Sequence, residues 1–265
     1  MIFSGLKEFL DEKATFYNRP EFIETDPVRV PHLFSEKENI EISGFLTSVI
    51  AWGNRTSIIR HATRLMQMMD NQPADFIRNA STQEFESVAG FYYRTFNGAD
   101  ALFFLRSLRN IYLQHGGLEK VFAEGFREDQ SVRSAICHFR KLFLETGHEK
   151  RNCKHLPDVE NGSAAKRMNL FLRWMVRNDG KGVDFGIWNT IPVSRLMLPV
   201  DVHTSRTARK QIGRASCRER VQISVAAVPL KKKKHPHPPP TPPPPPPPHL
   251  TPPTHPTPHS PNTPP

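Results

Sequence analysis

Between residues 41 and 175 the apolar side chains recur three and four positions apart, a period that only a helix turns into one continuous face. Ile42, Phe45, Leu46, Val49 and Ile50 share such a face within 41–52. Gly53 is a natural stop and Asn54 a natural N-cap, so a second helix is expected at once, with Ile58, Ile59, Ala62, Leu65, Met66 and Met69 on its apolar side. The pattern returns in Ala101, Phe104, Leu105, Leu108, Ile111 and Tyr112, then in Val132, Ala135, Ile136, Phe139, Leu142 and Phe143. It returns once more in Ala165, Met168, Phe171, Leu172 and Met175. Strand-like alternation is scarce, and Pro73, Gly116, Gly117 and Gly147 punctuate the connections. The expected class is all-α, short helices joined by brief loops.

An earlier helix is expected over residues 6–17, with Leu6, Phe9, Leu10 and Phe16 apolar. Pro20, Pro27 and Pro31 then separate it from the rest, so residues 1–35 are expected to be a helix and linker of a second lobe. A complete fold is expected only over roughly 35–210, with the N-terminal helix underpacked.

Composition matters chiefly because it is two compositions. Of the 26 prolines, 19 follow Gly213, and residues 214–265 carry seven Lys or Arg against Glu219 alone. That net +6 leaves +4 of the chain's +10 for residues 1–213, so overall basicity is no argument for a nucleic-acid partner. Residues 212–265 are expected to be disordered, because a proline-rich, apolar-poor segment cannot bury enough surface to offset its ordering entropy. Their opening, IGRASCRERV, resembles a translated sequencing-adapter read-through, and four lysines follow at 231–234. The expectation is a natural chain cut near Gln211 and an artefactual tail beyond it.

No apolar run approaches the ~20 residues that span a bilayer, and the N-terminus has acids where a signal peptide needs apolar residues, so a cytoplasmic location is expected. Cys137, Cys153 and Cys217 form no close-spaced pair, which leaves no readable disulfide framework, zinc site or iron–sulfur cluster. No metal and no cofactor are expected from the residues present. Cluster-ligating cysteines would have to lie beyond Gln211.

One stretch carries chemistry. Residues 198–210 read LPVDVHTSRTARK, with an apolar lead-in delivering Asp201 to the start of a helix, where a carboxylate ordinarily caps backbone amides. LPVDVHTSRTAR resembles the VDTHVxRVxxR signature of the helix-hairpin-helix DNA glycosylase superfamily, to which endonuclease III and the adenine glycosylases belong. The likeness covers roughly residues 40–210 and extends to a bacterial branch of unassigned function. It implies a two-lobed, all-α helical bundle, here C-terminally truncated, and a catalytic role for Asp201. EISGFLTSVIAWGNRTSIIRHATRLM is similar to the superfamily's opening helix pair, which places Trp52 near the residue that wedges into the duplex, with Asn54 and Arg55 beside it on the DNA. Taken as a residue alone, Trp52 fits a core position equally well.

LPDVENGSAAKRMNLFLRWM departs from the superfamily's LPGVGxxTA hairpin, since Asp158 and Glu160 stand where glycine amides approach a phosphate. The preferred reading is a short insertion, with Gly162 supplying a permissive backbone and Ser163 capping the next helix. Lys166, at the start of that helix, then matches the Schiff-base lysine of the bifunctional glycosylases. It lies 35 positions before Asp201, a long interval that resembles the archaeal 8-oxoguanine glycosylase branch. A surface lysine without chemistry is the other reading. Arg206 and Arg209 follow the Asp motif as expected phosphate contacts, as Arg60 and Arg64 follow Arg55. Tyr93, Trp174 and Trp188 are either stacking platforms for an everted base or, as aromatic residues more often are, core. The expected function is a base-excision DNA glycosylase, with or without Schiff-base lyase activity, acting as a monomer on double-stranded DNA. The alternative is a non-catalytic DNA-binding module of the same fold.

Overall fold

The computed structural model describes residues 2–198 together with Arg206, Val221 and Gln222. Helix α1 (Ile2–Tyr17) comes first, followed by three short 3-10 turns at Pro20–Thr25, Pro27–Arg29 and Pro31–Leu33, each opened by a proline whose missing N–H costs nothing at a helix start. Then come α2 (Lys37–Ile50), α3 (Arg55–Gln67), α4 (Pro73–Asn79) and α5 (Thr82–Ser87). A two-residue hairpin, β1 (Tyr92–Tyr93) and β2 (Phe96–Asn97), leads into α6 (Gly98–Gln114), α7 (Leu118–Asp129), α8 (Val132–Phe143) and α9 (Lys166–Val176). The fold is all-α.

Helix α2 is the axis of the core. It is buried on every side from Asn39 to Ile50, as a helix surrounded by others must be. The Phe45 ring lies 5.4–6.0 Å from those of Phe104 on α6, Phe139 and Phe143 on α8, and Phe171 on α9. Some of its buried polar side chains are bonded to backbone: the Ser43 and Ser48 hydroxyls donate back to Asn39 and Phe45 carbonyls, and Asn39 Oδ1 accepts the Ala74 N–H that opens α4. Gly44 brings α9 close, since a Cβ there would stand 3.2 Å from Met175 Cε. Helices α7 and α8 approach as tightly at Gly125, where a Cβ would meet Ala135 Cα at 2.9 Å.

The apolar faces expected from spacing are buried almost residue for residue, with only Ile59 and Leu142 half-exposed. Trp174, Trp188 and Tyr93 belong to this core, and Trp188 meets Phe122 at a tilt and Phe171 edge-on, at 5.5 and 5.4 Å. Their burial removes them as stacking platforms. On α1 the apolar Phe9, Leu10, Phe16 and Tyr17 stay about half exposed, which is the underpacking expected of this helix. Order nevertheless begins before residue 35, because Asp26 accepts the Val28 N–H and the following turn points Val28 and Val30 fully into the core. Within the segment expected to lack structure, β4 (Val221–Gln222) pairs antiparallel with β3 (Met197–Leu198). The remainder of that segment lies outside the described residues. No helix among the described residues is long and apolar enough to cross a membrane.

Candidate functional site

The end of α2 and the start of α9 meet at an open cavity of about 170 Å³. Its walls combine Ser48 and Val49 with Lys154, His155, Asp158, Ser163, Lys166 and Arg167, so three cationic side chains stand against one carboxylate. The segment 156–165 that leads into α9 forms a closed turn. Asp158 Oδ1 accepts the Asn161 N–H at 3.1 Å, Oδ2 accepts from Asn161 Nδ2 at 2.9 Å, and the Asp158 carbonyl accepts the Ser163 N–H at 2.9 Å. Gly162, at φ +86°, supplies the left-handed backbone the turn requires. Leu156 and Val159 anchor it in the core.

This geometry settles what the Asp158 carboxylate does. The Asn161 hydrogen bonds hold Asp158 below the ordinary carboxylate range, and Arg140 Nη2 stands 3.4 Å away. Its charge is spent on building the turn. Ser163, expected to cap α9, does not: its hydroxyl accepts the Ala165 N–H at 3.2 Å, and the cap position falls to Ala165 in a left-handed conformation at φ 48° with no side-chain partner for the helix. Two residues separate a serine from the amides it bonds in an ordinary cap, and the reversal of the backbone at Ala165 takes that reach away. The first turn of α9 therefore carries its positive dipole end into the cavity without a capping side chain.

Lys166 is exposed at the rim rather than enclosed. Arg167, its neighbour, turns inward, and its guanidinium donates to the Val49 carbonyl. Burial pulls the Arg167 pKa downward. That bond ties α9 to the end of α2, and through it to the α2–α3 turn. There Asn54 caps α3, its Oδ1 accepting the Ser57 N–H at 3.1 Å. Gly53 has φ +105°, and a Cβ on it would stand 2.5 Å from Arg94 Nη1. Trp52 is half-buried, edge-on to Tyr93 at 5.9 Å, with the Arg94 guanidinium 4.5 Å over its ring. The Tyr93 hydroxyl donates to the Trp52 carbonyl at 2.7 Å, which fixes the turn to the hairpin. Arg55 is exposed, 4.0 Å from Asp26 Oδ2 and 5.6 Å above the Phe22 ring.

Behind His155, which lines the cavity, lies a group the sequence did not single out. Asp100 is fully buried; within the α6 cap it accepts the Asn97 N–H, and it also takes Arg151 Nη2 at 3.1 Å and Asn152 Nδ2 at 2.8 Å. His155 Nε2 lies 3.3 Å from the same carboxylate. Burial lowers the His155 pKa, an effect the Asp100 charge opposes. The only local signal was the spacing of Asn97 and Asp100, which reads as a capping box. Residues 100 and 151–155 share no local pattern, so their meeting is not readable in sequence.

Asp201 and Arg209 lie outside the described residues, as does His203, and Arg206 is exposed. The described residues hold no cluster of three or more His, Cys, Asp or Glu placed to bind a metal.

A helical core around one apolar axis, with a basic cavity at one of its ends, defines the architecture. The chain belongs to the family described as a protein of unknown function, DUF2400, whose pattern matches residues 26–227. Neither a curated protein nor a solved structure matches the chain.

Proposed function

We propose that this chain is a base-excision DNA glycosylase that works on an everted nucleotide held between the α2–α3 turn and the start of α9. One observation carries the reading: Arg167 joins, across more than a hundred residues, the two segments whose resemblances independently point to DNA. The Lys166 turn and the end of α2, which runs on into the Trp52 turn, thus wall a single basic cavity, and its volume, about 170 Å³, is that of a cavity accepting one aromatic ring.

The chemistry follows from charge. Loss of a base with the bonding electron pair leaves positive charge on the deoxyribose, which a fixed carboxylate at Asp201 stabilises. The Lys166 amine, once deprotonated, attacks C1′ and forms the Schiff base of the lyase branch, while water attacks in the monofunctional branch. Uncapped α9 amides, Lys154 and Arg167 favour a neighbouring phosphate. Eversion costs a few kcal/mol and is cheapest at damaged or mismatched pairs.

The test is base release from a panel of damaged duplexes by the full chain. Asp201→Asn is expected to abolish release while sparing DNA binding, and retained release removes Asp201 from this role. Borohydride trapping isolates the lyase step, which fails as an assignment when Lys166→Ala traps as well as the parent. Asp158 and Glu160 in place of the phosphate-approaching glycines favour the second reading, a DNA-binding module without chemistry. Binding without release across the whole panel selects it.

A further inference from the structure

Helix α3 carries Arg55, Arg60, His61 and Arg64 and no acid. Arg60 and Arg64 stand one turn apart on the same face, where like charges repel unless something negative lies across them. Among the described residues neither pairs with a carboxylate. The 3-10 turns before α2 add a third cation: Arg29 faces the same groove, half-exposed, with only Glu24 near it at 3.8 Å. The groove holds about 480 Å³, Leu33 and Ile59 form an apolar floor, Thr63 and Gln67 add polar side chains, and no acid lines it. Leu33 is 56% exposed, so nothing from the described chain covers that floor.

We infer that this groove is a second nucleic-acid contact, gripping the phosphate backbone of the duplex arm that flanks the everted nucleotide. The inference uses only the DNA-binding half of the function proposed above. Three guanidiniums in a concave channel suit a strand of regularly spaced phosphates, because each offers a planar fork to one phosphate's oxygens. A bilayer presents a broad plane, which a concave channel engages poorly. The helix supplies the geometry: Arg60 and Arg64 stand one turn apart in the groove, about 6 Å along the axis. At ~3.4 Å per nucleotide this is about two nucleotides of one strand. The channel therefore grips duplex without reading its sequence, since phosphate contacts carry no base information.

The experiment measures affinity of the full chain for an undamaged DNA duplex between 50 and 200 mM salt. The parent is compared with R29Q/R60Q/R64Q and with R127Q/R133Q/K141Q, which removes the same charge from exposed positions on α7 and α8. Three phosphate contacts contribute a log–log slope of about −2.7, so the parent is expected to lose about 40-fold more affinity than the groove variant across this range. The control variant is expected to follow the parent. Parallel slopes for the parent and the groove variant overturn the inference. It is also overturned if the substitutions weaken binding to single-stranded RNA or to phosphatidylserine vesicles while leaving the DNA duplex unaffected. Base release plays no part in this readout, so absence of catalysis with a slope difference leaves the groove standing, and catalysis without one removes it.

Discussion

At one end of the antiparallel α2–α9 pair, Glu41 is buried and both its oxygens are taken, Oε2 by the Tyr112 hydroxyl and Oε1 by Trp188 Nε1, each at 2.7 Å. At the other end Arg167 reaches the Val49 carbonyl, α9 starts without a capping side chain, and Lys166 stands exposed beside an open cavity. The two ends of α2 thus differ: Glu41 joins α6 and the segment after α9 in a sealed polar junction, while the Val49 end opens onto a cavity. A buried carboxylate with matched donors fixes a tertiary arrangement, because any other placement leaves three polar groups without partners. Helix amides that start at a cavity without a capping side chain do the reverse: they cost stability unless an anion arrives. The contrast separates a junction closed by matched buried groups from one that opens onto a cavity.

The sharpest way to break that contrast is Glu41→Leu, which orphans the Tyr112 and Trp188 donors in the core. It is expected to cost about 2–6 kcal/mol in a denaturant titration, at about 1–3 kcal/mol for each buried unpaired donor. A change of under about 1 kcal/mol would mean that the junction is not the sealed one described. At the open end Asp158→Ala removes two hydrogen bonds from a half-exposed turn, and about 1 kcal/mol is expected. Duplex affinity should fall with it, as the start of α9 loses its fixed approach.

Smaller still is a pH effect confined to the sealed end. Burial raises the Glu41 pKa more than its hydrogen bonds lower it. The native state then keeps this proton to higher pH than the unfolded chain, so stability falls as pH rises from the ordinary carboxyl range through the raised value. Glu41→Gln should flatten that stretch of the stability curve, and an unchanged slope refutes the assignment to Glu41. The smallest expected change in stability is at Lys166→Gln, where the melting midpoint should not move although borohydride trapping is lost. A shifted midpoint makes Lys166 a structural residue.

How much was legible varies with the range of the interaction involved. The apolar faces of α2, α3, α6, α8 and α9 were readable because helical period and burial are the same fact seen twice. Asn54 was readable as a cap because its partner lies three residues away. Ser163 read the same way and failed, since a left-handed Ala165 between it and the helix is not announced by composition. Val28 and Val30 were assigned to a linker because prolines break helices, yet the same prolines start the tight turns that bury them. Near the candidate site, Lys166 at the cavity and the left-handed Gly162 in the turn before it were singled out from the sequence. Asp100, His155 and Arg29 were not, because each acts through partners distant in the chain or on another element.

Sequence alone determined the all-α class, the faces that became the core and the two turns that flank the cavity, because periodicity and capping are properties of a few neighbouring residues. Only the tertiary structure decided that Asp158 is spent inside its own turn and that Arg167 fastens the two turns together. It alone lined up Arg29 with Arg60 and Arg64. Each of these depends on where a charge finds its partner, and in a folded chain that partner is chosen by proximity in space.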